Sequence, residues 1–150
     1  MDIERVQLEP KIVAGVKETV PMSELTDFFG RAFATTASAL AQQGAFPAGA
    51  PIALYHGTPT TTVNVTAGFP VAQPVTPDGG IVTTTLPGGP AVQAMHIGSY
   101  DNLEKTYSAV TGWLADQGLR PGSDMWEEYL VGPDSEPDPS RWQTRIVWPL

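Results

Sequence analysis

The chain contains no cysteine. Disulfides, thiolate nucleophiles and cysteine-based metal sites are therefore excluded. Basic residues are scarce: eight Lys and Arg stand against sixteen Asp and Glu, for a formal net charge of −8. A nucleic-acid-binding surface would normally be basic, so no direct nucleic-acid contact is expected. The acidity is compatible with attraction of cationic small molecules or with solubility alone. Histidine is limited to His56 and His96. A metal site wants three or four ligands, and neither histidine lies in a cluster with ligand spacing or in a haem motif. No metal and no cofactor is expected. No apolar run approaches the roughly 18 residues of a membrane span. The start, Met-Asp-Ile-Glu-Arg-Val, lacks the basic-then-apolar pattern of a signal peptide. The expectation is a single globular domain over residues 1–150, cytoplasmic and not membrane-bound. With 41% apolar and 16% charged residues, it can form a packed core.

Gly and Pro punctuate what is present. Ile12 to Val20 reads as a strand ended by Pro21. Ser23 is placed to cap a helix reaching about Gln43, with Leu25, Phe29, Ala32, Phe33, Thr36 and Leu40 as its apolar stripe. Gly44 is placed as its C-terminal cap. Strands follow over Pro51 to Gly57, Thr60 to Val71, Ile81 to Leu86 and, after Pro87-Gly88-Gly89-Pro90, Ala91 to Ile97. A second helix runs from about Ser99 to Gln117, opened by Asp101 with Glu104 and striped by Leu103, Tyr107, Val110 and Leu114. Two strands complete the chain, one through Glu127 and one from Trp142 to Trp148. The acidic, Pro-rich stretch between them reads as a solvated loop.

This order repeats. Ala41-Gln42-Gln43-Gly44 matches Ala115-Asp116-Gln117-Gly118, Tyr55 matches Tyr129, and Pro59 matches Pro133, all at an offset of 74 residues. The repeat spans about 11–71 and 90–150. The expected fold is α+β: two pseudo-symmetric strand–helix–strand–strand modules, one antiparallel sheet, two main helices, and a ligand groove between the modules.

The stretch Asp124 to Leu130 is the informative one. On a strand, Glu127 and Tyr129 share one face, and Trp126, Glu128 and Leu130 share the other. Trp126 is expected toward the helices. Under the repeat, Ala53 occupies the place of Glu127, so the symmetric scaffold holds one carboxylate between Tyr55 and Tyr129. Burying a charge without a partner is costly. A carboxylate among aromatic faces is the pair that would hold a lipophilic cation.

Several segments resemble the GyrI-like (gyrase-inhibitor-like) small-molecule-binding domain, the effector-binding domain of multidrug-responsive transcription regulators of bacteria. They are Val13-Ala14-Gly15-Val16, Ala53-Leu54-Tyr55-His56-Gly57, Ala67-Gly68-Phe69-Pro70-Val71, His96-Ile97-Gly98-Ser99-Tyr100, Trp126-Glu127-Glu128-Tyr129-Leu130 and Thr144 to Leu150. The resemblance covers nearly the whole chain. It implies two facing modules, a groove between them, and an acidic residue in an aromatic pocket, in an E-x-Y pattern that Glu127 and Tyr129 fit. Glu128 departs from that pattern, because the position is more often apolar in relatives. No helix-turn-helix segment is visible, which implies a stand-alone member or one acting through a partner.

The expected ligand-binding residues are Glu127, Tyr129, Tyr55, Trp148, Phe69 and Met95. Glu127 has three possible roles: pairing with a ligand cation, activating water as a general base with Tyr129 as its partner, or a structural hydrogen bond. The first reading is a binding protein for amphipathic aromatic or cationic compounds. The alternatives are a hydrolase of electrophilic small molecules and a gyrase-modulating or regulator-partner protein. A small-molecule ligand is the expected partner, with a protein partner or homodimer left open.

Overall fold

A computed structural model describes residues 3–150. The fold is α+β. The strands are β1 Ile3–Leu8, β2 Lys11–Pro21, β3 Ile52–Tyr55, β4 Thr62–Val71, β5 Val82–Leu86, β6 Gly89–Ile97, β7 Met125–Val131 and β8 Gln143–Pro149. The helices are α1 Leu25–Gln42 and α2 Leu103–Asp116. All eight strands form one antiparallel sheet in the order β1-β6-β8-β7-β3-β4-β2-β5.

That order dictates curvature. Laid flat, eight strands would span roughly 34 Å between the outermost two. Yet the chain passes from β1 at one edge to β2 near the other through Glu9 and Pro10 alone, and from β5 back to β6 through Pro87 and Gly88 alone. Two such residues bridge only about 10 Å. The sheet is therefore curled so that its edges meet. The two linkers touch where they cross: a Cβ on Gly88 would lie 2.9 Å from Pro10 Cδ. The inside of the curl is filled by Val13, Ile52, Leu54, Leu86, Ala91, Trp126 and Val147. Trp126 thus points away from the helices, contrary to expectation. Its indole belongs to the inner core because its register partners, Leu54 and Val147, also face inward.

Both helices lie on the outer face. α1 buries Phe28, Ala32, Thr36, Ala39 and Leu40, mostly against Ala14, Val16, Val63, Val65 and Ala67. α2 buries Val110 and Leu114 against Val92 and Ala94. The stripe of α1 is centred on Phe28 rather than on Phe29. Phe29 and Phe33 are instead half-buried on its flank. Both helices end identically: Gly44 and Gly118 each have φ 68°, and the amides of Ala45 and Leu119 each donate to the carbonyl five residues back, at 2.9 Å. Glycine tolerates that conformation.

The helix starts differ from expectation. Pro21 leads into a 3-10 turn, Met22–Glu24, so Ser23 lies inside the turn and caps nothing. Before α2, Ser99 rather than Asp101 does the capping, its hydroxyl accepting from the Asp101 amide at 3.2 Å. β1 was not anticipated from sequence. It pairs with β6 along its whole length.

Candidate functional site

The outer face carries a row of directly paired residues across the sheet: Val16, Ala67, Ala53, Glu127, Ile146 and Ala94. Glu127 is the single polar member. It sits at the junction of β3 and β7, between the two helices, and is 4% exposed. Among the described residues, no basic group forms an ion pair with it. Instead three phenols converge on it. Tyr129 donates to Oε1 at 2.7 Å, Tyr55 reaches the same oxygen at 3.4 Å, and Tyr107 on α2 donates to Oε2. Burial first, and the Glu127 charge second, push the Tyr55, Tyr107 and Tyr129 hydroxyls well above the usual phenol range. They stay protonated and keep donating.

Beside this cluster lies a cavity of about 360 Å³. Its walls include Tyr55, Tyr107, Trp148, Met125 and Leu25, with Glu127 exposed to it. The mouth is formed by Gly57-Thr58-Pro59 and Gly122-Ser123. Three hydrogen bonds fix this rim. The Gly57 amide donates to Asp124 Oδ1 at 3.0 Å, the Trp148 indole donates to the Gly122 carbonyl at 2.9 Å, and the Gly122 amide donates to the Pro149 carbonyl at 2.7 Å. Trp148 is therefore held with its ring edge-on to Tyr107, centroids 6.4 Å apart.

Glu127, Tyr55 and Trp148 meet at this cavity. Tyr129 touches it only through Glu127, since its ring packs on the far side against Phe29, Phe33 and Tyr100. Phe69 lies on that far side, 5.8 Å from Phe33. Met95 is paired with Arg145 on the opposite sheet face from Ala94 and does not line the cavity. Tyr107 was read only as helix packing, but it is a full member of the cluster. A signal existed: a tyrosine in an apolar stripe needs a partner for its hydroxyl, and the 74-residue offset aligns it with Phe33.

Glu128 has a different environment on the inner face. Arg145 donates to it at 3.0 Å and the Trp126 indole at 3.1 Å. It is a paired structural carboxylate. His96 is buried as a tie between strand and helix: its Nε2–H donates to the Ser99 carbonyl at 2.9 Å, and Nδ1 accepts from Thr106 at 2.6 Å. His56 pairs with Thr66 at 2.8 Å, and burial and then Lys17 lower its pKa. Among the described residues, no group of three or more His, Asp or Glu could hold a metal, and no helix is long and apolar enough to cross a membrane.

The two similar halves thus meet at β3 and β7, with Glu127 on the outer face of that junction and Glu128 on the inner. The chain belongs to the GyrI-like family, whose description is GyrI-like small molecule binding domain, matched over residues 1–150. No curated protein matches it by sequence. Among solved structures, it resembles EcmrR in an EcmrR–DNA complex (TM-score 0.85, 21% identity, 99% of this chain), spanning only 56% of that protein's length. The isolated EcmrR C-terminal domain is also similar (0.76, 23%, 99% of this chain and 96% of that). So are SAV2435 bound to tetraphenylphosphonium (0.71, 14%, 99% and 93%) and a hydrolase from Listeria innocua (0.65, 14%, 99% and 91%).

Proposed function

We propose that the protein is a receptor for lipophilic organic cations, taken into the cavity beside Glu127. The observation that carries this reading is a buried carboxylate with no cationic partner and three phenol donors. A buried carboxylate is expensive unless its lone pairs are satisfied. The phenols satisfy three of the roughly four and bring no positive charge. A cation entering the cavity supplies the missing charge, and Tyr55, Tyr107 and Trp148 offer it ring faces and edges.

The cradle also bears on which cation. Three phenol donors already fill three of the roughly four acceptor sites of the carboxylate, so a protonated amine has little room left for hydrogen bonds of its own. A quaternary ammonium or phosphonium needs no hydrogen bond and is stabilised by the field alone. That tetraphenylphosphonium is bound in SAV2435 is in keeping with this choice.

The test is a titration of wild type and Glu127→Gln with tetraphenylphosphonium and with the neutral triphenylphosphine oxide. The expected result is a roughly 10- to 100-fold loss of phosphonium affinity in the variant, the scale of a desolvated charge interaction, with the neutral compound little changed. Equal loss for both compounds would overturn the reading. A hydrolase reading is favoured by one resemblance, and here Glu127 would take a proton from water. Turnover of an electrophile by wild type, abolished in Glu127→Gln while binding persists, would establish it instead.

A further inference from the structure

The internal two-fold shows what fills the counterpart of the cavity on the other side of Glu127. Tyr129 stands where Tyr55 stands, paired with Thr144 as Tyr55 is paired with Val65. Two residues earlier in the chain, Trp142 therefore corresponds to Val63. Their partners agree: Val20 pairs with Val63, and the equivalent Gly98 amide donates to the Trp142 carbonyl at 2.8 Å. The turns leading into the helices give one more equivalence. Pro21 (φ −60°, ψ 144°) precedes the 3-10 turn Met22–Glu24, and Ser99 (φ −59°, ψ 149°) precedes the 3-10 turn Tyr100–Asn102. Tyr100 thus stands where Met22 does.

In the packed half these positions are filled by rings. Tyr100 sits edge-on to Tyr129 with centroids 5.9 Å apart, and Trp142 lies against Tyr100 at 4.9 Å and a tilt of 36°. In the cavity half both rings are missing. The side chains that stand in their places, Met22 and Val63, line the cavity together with Tyr55. Val63 is buried, whereas Met22 is 48% exposed. The Met22 amide donates to the Thr61 carbonyl at 3.0 Å, which ties its turn to the segment that forms the mouth. The cavity is thus the room that two rings take up on the other side of Glu127.

We infer that the cavity selects molecules carrying two aromatic rings on one atom, and that Met22 and Val63, by being small or pliant where their counterparts are rings, set this preference. One ring of the ligand takes the place of Tyr100, edge-on to Tyr55. The other takes the place of Trp142, between Val63 and Met22. Two aryl rings bonded to one phosphorus or carbon lie about 5 Å apart, centre to centre, within the range at which aromatic pairs attract. The Tyr100–Trp142 spacing of 4.9 Å matches that geometry. The ring seated on Tyr55 lies beside the carboxylate that Tyr55 reaches, and the Met22 thioether can repack over the second ring. The inference rests on the cavity being the binding site, as in the function proposed above, and adds the shape of its occupant.

The test is calorimetric titration with dimethyldiphenylphosphonium and trimethylphenylphosphonium, which differ by one ring at constant charge. The same comparison is made with the neutral methyldiphenylphosphine and dimethylphenylphosphine oxides. In wild type the second ring should strengthen binding about 10- to 100-fold, the scale of burying one aromatic side chain. Met22→Tyr supplies a ring to Tyr55 from within the chain, as Tyr100 does to Tyr129, and should cut that advantage below about 3-fold. Met22→Leu adds no ring and should keep it. Circular dichroism confirms that both variants are folded. A wild type with no two-ring advantage, or an advantage undiminished in folded Met22→Tyr, would overturn the inference. A two-ring advantage without any preference for the charged pair would sink the cation reading and leave this one standing. Preference for charge without a two-ring advantage would do the reverse, and binding of no compound would overturn both.

Discussion

Ala53 lies directly opposite Glu127 across the β3–β7 junction, and each takes the other's place under the internal two-fold axis. The carboxylate therefore sits at the symmetry centre of the domain, and the methyl group opposite leaves it alone there. Substituting Ala53→Glu would set two carboxylates side by side in a buried place. The expected cost at pH 7 is about 3 kcal/mol or more, the scale of an uncompensated buried charge. One of two adjacent carboxyls has a raised pKa, so the penalty should shrink as pH falls toward 5. Chemical denaturation at the two pH values measures this.

Tyr107→Phe removes one donor and leaves Glu127 Oε2 open to the cavity. Stability should drop by about 1–3 kcal/mol, the cost of an unsatisfied acceptor. Ligand preference should move from phosphonium toward protonated aryl-amines, which can now donate to the freed oxygen. Parallel titrations with one compound of each kind check it.

All four tyrosines of the chain have raised pKa values. In the unfolded chain they ionise near pH 10. Above that pH the unfolded state binds fewer protons than the folded one, so stability falls as pH rises. The contribution is fully present below pH 10 and declines by up to about 1.4 kcal/mol per pH unit for each tyrosine still protonated when folded. Tyrosinate absorbance should appear together with the loss of far-UV circular dichroism. Ionisation well before unfolding would contradict the buried cradle.

Two glycines predict opposite outcomes. A Cβ on Gly68 would lie 1.9 Å from the Ala14 carbonyl oxygen, where β2 and β4 pair. Gly68→Ala should cost about 3 kcal/mol or more, as backbone must shift. Gly30, within α1, has nothing within 4 Å of its missing Cβ. Gly30→Ala should gain about 0.5–1 kcal/mol from helix propensity. Urea midpoints of the two variants decide both.

Much of the fold was legible because Gly and Pro mark its joints and the 74-residue offset aligns its halves. β1 was not, since Ile3–Leu8 is only six residues long, its alternation is broken by the adjacent Glu4 and Arg5, and it gains its place by pairing with β6. The face of Trp126 was not legible either. A strand buried on both sides gives no sign of which face meets helices, and curling made the second face a core of its own. Glu127 was readable as the odd polar residue of its strand. Its phenol partners were readable in part, Tyr55 and Tyr129 through the repeat. Tyr107 was hidden because a helical stripe accounts for it equally well. Phe69 follows Trp148 in the repeat, but it faces the half that the cavity does not occupy.

The crossing linkers have a consequence for how the protein comes apart. β1, from the start of the chain, completes the half of the sheet built by β6, β7 and β8, while β5 completes the half built by β2, β3 and β4. With residues 9–10 and 87–88 strapping one edge to the other, the sheet cannot open at its seam without loosening both ends. A duplicated protein would ordinarily be divisible at the duplication boundary. Here the two copies share a clasp, so they should unfold together, and a chain cut between the modules should retain its fold only while both fragments remain associated.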